Sequence, residues 1–181
     1  MSDYRDHHGT IFLPPEVADS IEAARREWDP DMANRIAAHV TLVYPQEAPN
    51  AELLIERVRE ASACLGPFRL RLGDVACFER PEDGVYVSVE DIDGGYRRMR
   101  DHVLRPPFHH LALPAHVTLV HPQTSTRGRE FWDRGAHQRQ SLEFTAREIA
   151  VTAFDGLRWA ALGTYGLALQ RTEARGAGLG R

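Results

Sequence analysis

The sequence predicts an α+β fold, and three observations carry that expectation. The segment Ala38-His39-Val40-Thr41-Leu42-Val43-Tyr44-Pro45-Gln46 returns 77 residues later as Ala115-His116-Val117-Thr118-Leu119-Val120-His121-Pro122-Gln123, identical at eight of nine positions. Runs with strand-like alternation are interleaved with runs at helical spacing, in the order β-α-β-α-β-β-α-β-(α)-β-β. Two long β-rich stretches flank Asp155-Gly156, a hairpin signal. The repeat divides the chain into two related halves. We infer two α+β lobes from it, each an antiparallel sheet with helices on its outer face, related by a pseudo-twofold axis; the sequence pattern alone gives only α+β. The repeated strands lie near that axis, with a cleft between the lobes.

Each element has a local reason. Gly9–Phe12 is a short apolar strand, and Pro14-Pro15 stops it. Pro15 suits the first turn of a helix over Glu16–Trp28, with Val17, Ile21 and Ala24 on one face. Trp28-Asp29-Pro30 closes that helix, and residues 31–37 connect to the first repeat strand. Pro45 ends the strand. Asn50 is placed to cap a helix over Ala51–Leu65, whose Leu54, Val58, Ala61 and Leu65 recur at helical spacing. Phe68, Leu70 and Leu72 alternate with Arg69 and Arg71, as in a half-buried strand. Gly73-Asp74 breaks it and Val75–Phe78 resumes. Pro81–Gly84 is a turn, Val85–Val89 a strand, and Gly95–Leu104 a helix ended by Pro106-Pro107. The second repeat strand is Ala115–Val120. Arg127–Gln138 is a short helix or exposed connection, and Leu142–Ala153 with Leu157–Leu169 form the closing strands.

The 181 residues suit a single bilobal domain over 1–170, with an Arg-, Gly- and Ala-rich tail at 171–181 expected to be disordered. Hydrophobic content of 43% and charged content of 27% are ordinary for a soluble globular chain. The formal charge of −4 supplies no general field for a long nucleic acid. All 22 cationic residues are arginine, which excludes Schiff-base and P-loop lysine chemistry. Cys64 and Cys77 lack a metal-ligand spacing and read as buried free thiols in a reducing compartment. Met1–His8 is polar without the apolar core of a signal peptide, His7-His8 included, and reads as a flexible start. No apolar stretch is long enough to span a bilayer. The expectation is a cytoplasmic monomer with no membrane partner.

Chemistry concentrates in the repeat. Alternate residues of a strand share a face, so His39 projects with Thr41, and His116 with Thr118. Brought together, the copies present two imidazoles and two hydroxyls to one cleft. A single such histidine is usually a hydrogen-bonded structural residue, and threonine is simply a good strand former. Two copies in this order of elements are a far more specific signal.

Over roughly His8–Gln170 the two H-h-T-h motifs (h apolar) resemble the 2H phosphoesterase superfamily, which includes the bacterial 2′-5′ RNA ligase-like proteins and cyclic nucleotide phosphodiesterases. The resemblance implies the bilobal fold, with His39 and His116 as general acid and base and Thr41 and Thr118 as phosphate-binding hydroxyls. No metal and no cofactor is implied. The expected substrate is a small nucleotide-like phosphodiester or RNA end, through hydrolysis of a 2′,3′-cyclic phosphate or cleavage and ligation of a 2′-5′ linkage. The rival readings are a nucleotide- or RNA-end-binding protein without activity, and an enzyme for a cyclic phosphate outside RNA. Tyr44 and His121 are equivalent positions just past each motif; Tyr44 is a candidate base-stacking ring. Family members often carry arginine where His121 stands, and the departure bears on substrate preference. Phe12 and Phe78 are candidates for a base-stacking wall against a core role, and Arg80 for a phosphate contact against a solvated surface role. His109-His110 lack a third metal ligand at suitable spacing.

Overall fold

The computed structural model describes residues 6–135 and 141–168. Two four-stranded antiparallel sheets form the frame. The first contains β1 (His7–Phe12), β2 (His39–Val43), β7 (Glu148–Phe154) and β8 (Trp159–Gly166), in the order β2-β1-β7-β8. The second contains β3 (Phe68–Cys77), β4 (Val85–Asp91), β5 (His116–Val120) and β6 (Glu143–Ala146), in the order β5-β4-β3-β6. The two repeat strands, β2 and β5, occupy the equivalent edge of each sheet and face one another. The lobes are therefore related as the repeat implies, but the first lobe draws on both ends of the chain.

The helices are α1 (Pro15–Trp28), α2 (Pro30–Arg35), α3 (Ala51–Cys64), α4 (Gly95–Val103) and α5 (Gly128–Asp133), with a 3-10 turn at Pro81–Asp83. Pro15 opens α1, and the Asn50 carboxamide caps α3 by accepting from Leu53 N at 2.9 Å. α3 lays Leu54, Val58 and Ala61 against β7, β8 and β1. The two helices nearest the axis cross between lobes. α1 leaves β1 yet packs against β5, and α4 leaves β4 yet reaches β2, where the Tyr96 hydroxyl donates to Thr41 O at 2.8 Å. Each motif strand is thus buttressed by a helix of the other lobe. Its inward residues are sealed in the core: Val40 and Leu42 at 0% exposure, Val117 at 1% and Leu119 at 4%.

Several expectations need correction. Residues 31–37 are not a plain connection, because α2 forms there with Pro30 in its first turn and Asp29 capping Met32 N at 3.0 Å. β3 is not interrupted at Gly73-Asp74; it runs through as one strand, with a register shift between Leu72 and Val75. Leu142–Ala153 is not one strand. It divides at Arg147, β6 pairing with β3 and β7 with β1, so the chain changes sheets there. β1 begins earlier than expected, because His7 and His8 pair with Ala153 and Thr152. Cys64 is exposed and Cys77 half-buried, and both are free thiols. The tail at 171–181 and the end of the 127–138 segment lie outside the described residues. No helix among the described residues is long and apolar enough to cross a membrane.

Gly95 shows how tightly α4 docks. A Cβ there would overlap the Phe68 side chain, itself 1% exposed. Gly95→Ala should cost about 1–3 kcal/mol through overpacking, read as a shift in the urea midpoint with unchanged m-value.

Candidate active site

Between the lobes lies a cavity of about 480 Å³ whose wall includes His39, Thr41, His116 and Thr118. Both motifs deliver the same geometry. His39 Nδ1 hydrogen-bonds Ala37 O at 2.8 Å, and His116 Nδ1 hydrogen-bonds Pro114 O at 2.8 Å. A carbonyl can only accept, so each Nδ1 carries a proton. In the neutral ring each Nε2 is then a bare lone pair, free for the cavity. The pair is symmetric down to the carbonyl two residues upstream that orients each ring.

Aromatic rings brace both imidazoles. His39 pairs across the ladder with Phe12, whose ring meets it edge-on at 6.2 Å. Phe78 meets His116 edge-on at 5.4 Å, and Tyr86 lies at 5.0 Å. Phe12 and Phe78 are 39% and 37% exposed, so neither is a core residue. Phe78 is part of the cavity wall. Tyr44 reaches from the first motif to within 6.4 Å of the His116 ring at 26°. Burial pushes its acidity well below that of a free phenol. His121 also lines the cavity. Arg80 does not belong to that wall. It is an exposed side chain whose guanidinium forks onto Asp83, a residue of the cavity wall, at 3.0 Å. Among the described residues, no group of three His, Cys, Asp or Glu is placed to hold a metal ion, His109-His110 included.

Among the wall residues that sequence reasoning missed are His8, Trp159, Arg25 and Arg35. The reading of His7-His8 as a flexible start is overturned by their place in β1. His7 is 4% exposed with Nε2 hydrogen-bonded to Ala48 O at 2.6 Å. His8 stacks on Trp159 at 4.0 Å and 15°, and lies 6.5 Å from His39. Arg25 is buried and committed: Nη1 holds Glu22 at 3.0 Å and Nη2 holds Ile36 O at 2.8 Å. No signal in the residues around positions 8, 25, 35 or 159 distinguishes them from ordinary surface or core residues.

The charged form of each imidazole in this cleft is disfavoured. Burial is the main cause for each. It lowers His8 to about 3, with His39, His7 and His121 adding repulsion. It lowers His39 to about 4, against the support of Ala37 O. The His39 ring is half-buried by area, yet protein crowds it closely. His116 and His121 are lowered also, by burial first. An unfolded imidazole takes a proton near its ordinary value of 6.5, whereas the folded His8 and His39 resist until about 3 and 4. The stability present above 6.5 is therefore lost as pH falls toward those lower values. Urea denaturation should find the wild type less stable at pH 5 than at pH 7. His8→Phe, which keeps a stacking ring but no proton site, should show a smaller loss.

Comparison with known proteins gives a consistent picture. A family model described as the 2′-5′ RNA ligase superfamily matches residues 13–158. A search of curated proteins finds no match. Among solved structures, the chain is similar to E. coli LigT in apo form at 17% identity and TM-score 0.65, covering 93% of this chain and 100% of that one. It is similar to TT0787 of Thermus thermophilus at 17% identity and TM-score 0.63, covering 92% and 100%. It also matches E. coli LigT complexed with 3′-AMP, at 19% identity and TM-score 0.59, covering 91% and 99%. At these identities the likeness shows the fold.

Proposed function

The chain belongs to the 2′-5′ RNA ligase superfamily, and from that premise we propose that it cleaves a small nucleotide-like phosphodiester by acid–base catalysis between His39 and His116. One observation carries the reading. Two imidazoles in one cavity are each tied at Nδ1 to a backbone carbonyl, which leaves two Nε2 atoms for proton transfer. Opening a 2′,3′-cyclic phosphate needs a base to deprotonate the attacking water and an acid to protonate the departing ribose oxygen. The same pair running in reverse would join a 2′-5′ linkage, so the roles exchange with reaction direction. The proposed chemistry requires no metal, because the imidazoles supply both proton transfers.

Thr41 and Thr118 stand one face-step beyond the histidines and would donate to non-bridging oxygens as charge develops. An incoming phosphate anion supplies the negative charge that favours the imidazolium of the acid partner, which the free cleft suppresses. Tyr44, Phe78 and the His8–Trp159 pair offer flat faces to a base. Binding of 3′-AMP by the structural neighbour supports a nucleotide-sized ligand here.

Thr118→Val should lower kcat on a 2′,3′-cyclic nucleotide about 10²-fold with a smaller change in KM, measured by steady-state kinetics. A change confined to KM would remove the hydroxyl from transition-state stabilisation.

A further inference from the structure

His121 sits on the same cleft as the motif histidines but with opposite polarity. Gln123 N–H donates to His121 Nδ1 at 3.2 Å. A ring nitrogen that accepts cannot carry the proton, so the neutral ring holds it on Nε2. His39 and His116 present a lone pair at Nε2; His121 presents a donor. The turn that sets this is built around Asp29, which is 0% exposed. Its Oδ2 accepts from His121 N and from the Thr124 hydroxyl, both at 2.8 Å, while Oδ1 caps α2. Protonating Nδ1 would set two donors against each other at Gln123. Charged and titratable neighbours come from every side: Asp29 after α1, Arg35 at the end of α2, His116 on β5 and His8 on β1. Only Asp29 favours the imidazolium, and burial outweighs it.

We propose that His121 is a specificity-determining residue, a tautomer-locked neutral donor that suits the cleft to a singly charged phosphodiester and disfavours a doubly charged phosphomonoester. The proposal rests on the phosphodiester reading of the cleft. An arginine in this place would add a fixed charge and a fork of donors, which rewards each additional negative charge on the ligand. A neutral imidazole gives one hydrogen bond without that reward. The buried Arg25 guanidinium is occupied by Glu22 and Ile36 O, which leaves Arg35 as the cation on this wall without a carboxylate partner among the described residues. A phosphomonoester carries close to two charges above its second pKa of about 6. Hydrolysis of a diester would then create a product that the cleft holds poorly, which assists release.

Two measurements on the full chain test this. ¹⁵N NMR of histidine-labelled protein should give His121 a protonated-type Nε2 and a bare-type Nδ1, the reverse of His39 and His116. Calorimetric binding at pH 8 should compare adenosine 3′-monophosphate with its singly charged methyl ester. The wild type should bind the methyl ester at least as tightly. His121→Arg should shift the ratio of affinities toward the monophosphate by about tenfold. His121→Gln, which keeps a neutral donor near the Nε2 position, should leave that ratio within about twofold of wild type. An Nδ1-protonated His121, or binding of both ligands with the ratio unmoved in His121→Arg, overturns the proposal while leaving the phosphodiester reading intact. Failure of the wild type to bind either ligand overturns both.

Discussion

His39→Ala and His116→Ala should each reduce turnover of a 2′,3′-cyclic nucleotide by about 10²–10⁴-fold, with the double variant little worse than either single one. The reason lies in how the two groups share one event. Base and acid must act in the same transition state, so once one is lost the other has little left to assist. The two sites are also close to equivalent, each ring oriented by the carbonyl two residues upstream and braced by an aromatic edge. Removing either ring should therefore hurt kcat far more than KM. Nucleotide binding, followed by calorimetry, should survive in both variants because Thr41, Thr118 and the aromatic faces remain. A loss of binding as large as the loss of turnover would mean that the histidines hold the ligand and do not transfer protons. Additive losses in the double variant would mean that they act in separate steps.

Glu47→Ala should destabilise the fold by about 3–5 kcal/mol, a large share of the roughly 5–15 kcal/mol typical of a domain. Glu47 is 0% exposed, and its carboxylate meets Arg100 at 2.5 Å across the lobe boundary. It also accepts from Tyr44 N at 2.9 Å and from Leu111 N at 2.7 Å. Truncation leaves a buried guanidinium and two backbone donors without their acceptor. Arg100 retains Leu42 O, which is not enough to offset a missing counter-charge. Glu47→Gln keeps an acceptor and should cost less than Glu47→Ala. The double change Glu47→Leu with Arg100→Met removes both charges and should recover part of the loss. Because the same carboxylate holds the turn bearing Tyr44, Glu47→Gln should also weaken nucleotide binding. Urea denaturation measures the first effect and calorimetry the second. A loss under about 1 kcal/mol for Glu47→Ala would show that the pair is compensated by its surroundings.

Much of this was legible in the residues, for identifiable reasons. A strand shows its period locally, so the repeat alone placed His39 with Thr41 and His116 with Thr118 on one face. Asn50 and Pro15 signalled helix starts because capping is decided within a few residues. What failed was long-range or contrary to local signals. His8 joins the cleft only because β1 pairs with β7 and β7 with β8, which brings Trp159 onto its ring. The change of sheet at Arg147 carries no Pro or Gly to announce it. Asp29-Pro30 read as a helix stop, and it is one; but Asp29 is also the cap of the next helix and the anchor of the second motif's turn, 92 residues away. Arg80 could only be judged against its partner Asp83, an i,i+3 pairing that the residue types alone do not enforce.

The most direct test incubates the purified protein, with EDTA present, with a panel of 2′,3′-cyclic mononucleotides and a 2′-5′-linked dinucleotide, following products by chromatography beside His116→Ala. A two-histidine phosphoesterase should give turnover by the wild type alone, unaffected by the chelator, with one ribose oxygen consistently retaining the phosphate. Binding without product, or activity abolished by EDTA and restored by a divalent ion, would contradict it.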